Sequence, residues 1–116
     1  MSSNEASDAS ACPCLDGQPT PREQRFVGVD KTRGVYGEVT VERCQSCGRY
    51  WLEYRVEYEA FTASGRWFRG EIDAETARQV TPASAVETLG GLEGHFFGGS
   101  YFGHSGRWSS GPVRLL

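Results

Sequence analysis

The sequence predicts a small α+β domain: an antiparallel meander of three to five strands, one short helix, and a glycine- and aromatic-rich C-terminal segment laid over the sheet. Three observations predict it. Apolar and polar residues alternate with a period of two across residues 35–43 and 49–61, the signature of strands with one buried face. Residues 81–90 carry helix punctuation at both ends. Four cysteines in two tight pairs flank the first of these strands, and a 116-residue chain with 38% hydrophobic residues has room for one modest core. Domains of that size often need a staple.

Residues 1–11 are polar and small, and are expected to form a disordered N-terminal tail; residues 12–116 are expected to form the single domain. The tail has neither the basic start nor the apolar stretch of a signal peptide, so a cytoplasmic location with reduced thiols is expected. Residues 12–24 hold three of the five prolines and read as irregular. Residues 25–30 read as a short strand. In 35–43, Val35, Val39 and Val41 share one face, and Tyr36, Glu38, Thr40 and Glu42 the other. In 49–61, Tyr50, Leu52, Tyr54, Val56, Tyr58 and Ala60 share the face expected to be buried. Trp51, Glu53, Arg55, Glu57, Glu59 and Phe61 share a face expected to be mostly solvated. Residues 62–65 form a turn, and 66–72 return as the next strand.

Asp73 caps a possible short helix over 73–79. Thr81 reads as the N-cap of the main helix, Pro82 as its first residue and Gly90 as its end, with Ala85, Val86 and Leu89 facing the core. From Gly90 to Gly111 lie eight of the fifteen glycines, interleaved with Phe96, Phe97, Tyr101, Phe102 and Trp108. Glycine at this density weakens regular elements, while the rings exclude a flexible linker. An ordered loop, with short strands at most, is expected.

The chemistry sits in the cysteines. Cys12-Pro13-Cys14 is followed, after 29 residues, by Cys44-Gln45-Ser46-Cys47-Gly48. Zinc takes four thiolates tetrahedrally at about 2.3 Å, and a short loop supplies two of them. A glycine after the second pair lets the backbone turn so that amides point at the sulfurs. Cys12, Cys14, Cys44 and Cys47 are therefore the expected metal ligands, with zinc as cofactor. Four thiolates leave no open position, which makes such a site structural rather than catalytic. An iron–sulfur cluster, a cycling dithiol and unliganded core cysteines are the competing readings. No βαβ pattern or helix start at Cys47 supports the dithiol. Across residues 12–61, Cys44-Gln45-Ser46-Cys47-Gly48 between two good strands resembles the zinc-ribbon group of domains, although one residue rather than two separates the first pair. The resemblance implies two cysteine loops clamping one zinc.

Other candidates carry less. His95 and His104 have Glu93, Ser100 and Ser105 nearby, but Gly98-Gly99-Ser100-Tyr101-Phe102 lacks the second glycine of a nucleophile elbow. Both histidines are expected to be surface or half-buried hydrogen-bonding groups. The run 94–104 is either a cover for the sheet or a surface for a partner. Arg66, Arg69, Arg107 and Arg114 could form a basic patch, but a net charge of −3 and a pI near 5.4 oppose generic binding to nucleic acid or anionic membranes. No apolar run approaches the roughly 18 residues of a membrane span. Glu53, Glu57 and Glu59 with Arg55 read as a solvated strand face. The expected function is that of a non-enzymatic zinc protein binding another protein, as an adaptor, regulator or immunity-type inhibitor. A nucleic-acid-binding zinc ribbon and a dithiol redox protein are the alternatives.

Overall fold

The computed structural model describes residues 12–16, 20–34, 36–56, 65–99 and 107–113. The expected tail, 1–11, lies outside them, as do Tyr58, Phe61, Tyr101, Phe102 and Arg114. Among the described residues six strands follow one another: β1 (Arg22–Asp30), β2 (Gly37–Cys44), β3 (Tyr50–Val56), β4 (Arg66–Ile72), β5 (His95–Gly99) and β6 (Arg107–Ser109). They form one sheet in that same order, every neighbour antiparallel. The expected meander is present and runs further than the three to five strands read from the sequence. Two helices, α1 (Ala74–Gln79) and α2 (Ala85–Gly90), occupy the β4–β5 connection, and a 3₁₀ turn (Pro13–Asp16) precedes β1. With two helices of six residues each, the molecule is mostly β, and α+β describes it only coarsely.

The alternation in β2 and β3 sets the core. Val39, Val41, Leu52, Tyr54 and Val56 are buried on one face with Phe68 and Ile72 of β4, and Ala77, Val80, Ala85, Val86 and Leu89 cover them. Gly70 brings α2 close: a Cβ there would lie 2.5 Å from Leu92 Cδ1 and 3.0 Å from Leu89 Cδ2. α1 starts as expected, with Asp73 accepting from the Thr76 amide at 2.7 Å.

α2 starts later than Thr81. The Thr81 amide donates to Ser84 Oγ at 2.9 Å and the Ser84 amide to Thr81 Oγ1 at 3.2 Å, so the two hydroxyls close a separate turn and the helix begins at Ala85. It also runs through Gly90, and the Gly91 amide closes it on Glu87 O. Strand β1 is longer than residues 25–30: Arg22 pairs with Cys44, and a bulge interrupts the register between Phe26 and Gly28.

The opposite face corrects the expectation of a solvated surface. Glu42, Trp51 and Arg69 are 2%, 1% and 6% exposed there. Glu42 accepts from Arg22 Nη1, Gln24 Nε2 and Arg69 Nε, each at 2.9 Å. The Arg69 guanidinium also lies 4.3 Å from the Trp51 ring centroid. Burying a carboxylate is costly unless its lone pairs are filled, and three donors fill them here. Phe96 continues this layer, 6.2 Å from Trp51 and 4.8 Å from Trp108 between ring centroids. The glycine-rich segment thus forms β5 and β6, and its glycines make room for rings. A Cβ on Gly94 would meet Trp108 at 2.2 Å, and one on Gly98 would meet Trp67 at 2.8 Å.

Candidate metal centre

β2 ends at Cys44, and the chain reverses through residues 45–49 into β3. Two backbone bonds close this reversal, Cys44 N to Arg49 O and Gly48 N to Cys44 O, both 2.8 Å. Gly48 sits at φ +81°, a conformation that side chains with a Cβ rarely adopt. Inside the loop the amides of Ser46 and Cys47 bond the Cys44 sulfur, and the amide and side chain of Arg49 bond the Cys47 sulfur. The glycine turn expected from the sequence therefore aims backbone donors at both sulfurs.

The first pair is built differently. Cys14 lies on the 3₁₀ turn and Cys12 just before it; Leu15 N to Cys12 O at 3.0 Å closes the turn, with the Cys14 amide on the Cys12 sulfur. The start of β1 brings this turn over the loop, since Arg22 pairs with Cys44 and Gln45 N donates to Pro21 O at 2.9 Å. The Thr20 hydroxyl lies 3.2 Å from the Cys44 sulfur. One hairpin loop and one 3₁₀ turn thus face each other, instead of two hairpin tips.

The structure brings all four expected ligands together. The Cys12 and Cys44 sulfurs are 3.7 Å apart and those of Cys14 and Cys47 3.5 Å, and all four lie within 4.8 Å of one another. A tetrahedron with metal–sulfur bonds of about 2.3 Å has edges of about 3.8 Å. None of the four is in a disulfide. Cys12, Cys14 and Cys44 are buried, and Cys47 is half-buried. Trp51 and Phe96 are buried against the cluster, with Leu15 and Trp67 packed at its margin. Four convergent thiols in an apolar shell can hold one metal ion.

The electrostatics divide the pairs. Burial raises the Cys44 thiol, but the Thr20 hydroxyl and the Cys47 and Ser46 amides outweigh it and bring the pKa down to about 6. Cys47 is also lowered: burial opposes ionisation, and the Arg49 amide and side chain overcome it. Cys14 is raised by burial and by its sulfur neighbours Cys12, Cys47 and Cys44. Cys12 is raised as well; the Cys14 amide favours its thiolate, but burial and the Cys47 and Cys44 sulfurs prevail. Without a cation the four groups cannot all ionise so close together, and a bound divalent ion removes that conflict.

Among the described residues, the four cysteines are the only candidate metal-binding group, and His95 is not part of it. His104, Ser100 and Ser105 lie outside the described residues, as do Glu57 and Glu59, so the Ser–His arrangement and most of the acidic row do too. Glu53 is only 15% exposed at its side chain and pairs with Arg55 at 3.0 Å. Arg69 is committed to Glu42 and does not join a basic patch. Sequence reasoning missed Thr20 and Arg49 as partners of the sulfurs, and Glu42 as a buried neighbour. Glu42 shares a strand face with Cys44, so the period of two placed it on the cysteine side of β2, but nothing local in the sequence signalled its burial. No helix of the described residues is long and apolar enough to cross a membrane. Comparison with known protein families, curated proteins and solved structures finds no match for this chain.

Proposed function

We propose that this chain is a cytoplasmic zinc protein whose zinc-ribbon-like centre is structural, and that it acts by binding another protein rather than by catalysis. The convergence of four buried sulfurs on one point carries the first half of this reading. Closed thiolate coordination has no position for substrate. A polynuclear iron–sulfur cluster would spread the sulfurs more widely than 4.8 Å, which favours a single ion. Backbone amides on three of the sulfurs suit thiolate ligands, as outer partners of metal sites do.

The protein-binding half is supported by the surface. Phe26, Tyr36 and Val29 are 60%, 66% and 37% exposed, gathered along the β1–β2 hairpin. Exposed aromatics on a paired strand are good interface anchors. The acidic charge and the commitment of Arg69 to Glu42 count against phosphate as the partner's chemistry. The test is affinity capture from lysate with and without nuclease treatment, using the wild type and a Phe26→Ser/Tyr36→Ser variant. A saturable protein partner lost in the variant is expected. Capture that depends on intact nucleic acid would contradict the reading.

A further inference from the structure

Among the described residues two buried side-chain nitrogens have no hydrogen-bond partner, Trp51 Nε1 beside the cysteine cluster and His95 Nδ1, and the second lines a cavity. His95, expected at the surface or half-buried, is instead 2% exposed, because β5 places it on the core face against Phe68, and its Nδ1 has no hydrogen-bond partner. The ring donates a hydrogen bond to the Leu89 carbonyl. With the other nitrogen donating, Nδ1 is left as an acceptor. Phe68 meets the ring edge-on at 6.2 Å between centroids.

His95 lines a cavity of about 130 Å³, walled by Phe68 and Phe97 and bounded by Ser109, Ser110 and Pro112. The segment after β6 closes one side, packed against the end of α2: a Cβ on Gly90 would lie 3.4 Å from Pro112 Cα. None of these lining side chains carries a formal charge once His95 is neutral, and burial holds the imidazole below its ordinary pKa. The volume is close to that of engineered cavities, about 150 Å³, that accept benzene. Two aromatic walls and one orphan acceptor define what fits: a ring-sized apolar body with a single donor.

We propose that this cavity is a binding site for an uncharged, phenol-sized molecule, whose hydroxyl donates to His95 Nδ1 while its ring packs between Phe68 and Phe97. The cavity lies on the opposite face of the sheet from the cysteine cluster.

The test titrates phenol and, separately, toluene into the metal-loaded protein, followed by NMR. Phenol is expected to bind at about millimolar strength. It should shift the amides of Phe68, Phe97 and Ser109 and move the His95 Nδ1 nitrogen resonance. Toluene lacks the donor and should bind roughly fivefold more weakly or worse. His95→Gln tests the acceptor and should reduce the phenol preference. Should that variant fold poorly, Ser110→Trp, at an exposed position on the cavity's rim, should block both compounds and leave the rest of the spectrum intact. An absence of shifts, as for a cavity filled only by water, would overturn the proposal. So would equal binding of phenol and toluene with the His95 resonance unmoved.

Discussion

The two faces of the sheet are closed by different physics. On one, α1 and α2 lay Ala77, Val80, Ala85, Val86 and Leu89 over Val39, Leu52, Val56 and Phe68, an apolar core of the ordinary kind. On the other, no described helix packs. Glu42, Arg69 and Trp51 are buried there beside the four cysteines, joined by the buried ring of Phe96. The helical face draws its stability from area removed from water. The cysteine face holds charges out of water, which is favourable only while every partner is present. A small domain can thus fill one layer with hydrophobic residues and build the other from a cysteine cluster able to hold a metal and a buried, charge-paired network.

The difference is broken most severely at the cysteines. Cys44→Ser should remove a ligand and most of the metal-linked folding energy, on the order of 10 kcal/mol for a structural zinc site. Circular dichroism should then show a chain with little cooperative melting. Glu42→Ala comes next, because it strands Arg69 in a buried position; a loss of about 4 kcal/mol is expected in denaturant titrations. The double replacement Glu42→Leu/Arg69→Met removes both charges and should recover much of that loss, which a partly exposed ion pair would not do. On the helical face, Leu89→Ala should cost about 3 kcal/mol without changing metal content, since Leu89 is fully buried and far from the sulfurs in packing.

A smaller effect is expected at Tyr54, whose hydroxyl donates to Asp30 Oδ2 at 2.8 Å. Asp30 also accepts from the Thr32 amide and hydroxyl, and these donors hold its carboxyl below its ordinary pKa although burial alone would raise it. Tyr54→Phe should cost about 1 to 2 kcal/mol by thermal melting. The smallest effect is a slope. Burial lowers the His95 pKa from 6.5, so the unfolded chain takes up the proton first. The His95 contribution is complete above pH 6.5 and declines as pH falls from there through the folded-state pKa. Melts of wild type and His95→Gln between pH 5 and 8 should diverge only at the acidic end.

Much of this fold could be read from the chain, and the exceptions have physical reasons. The strands and the site were legible because alternation and cysteine spacing are local patterns: Val39, Val41, Leu52 and Tyr54 face the core as the period of two requires. Asp73 caps its helix because the capping bond spans three residues. The burial of Glu42 and Arg69 was not legible because each depends on the other across two strand pairings, which no local pattern reports. β5 was hidden by its glycines. Gly98 lies opposite Trp67 in the register, and the missing side chain is what admits the indole. Thr81 carried a true capping signal, but Ser84 answered it within a turn and displaced the helix start.

The central claim is that one metal ion closes the cysteine face. Elemental analysis of protein purified without chelator, with thiol titration on the same sample, tests it most directly. One zinc per chain is predicted, with all four thiols unreactive until a chelator is added and the cooperative melt lost once the metal is removed. A metal-free chain with freely reactive thiols and an unchanged melt in chelator would contradict the account.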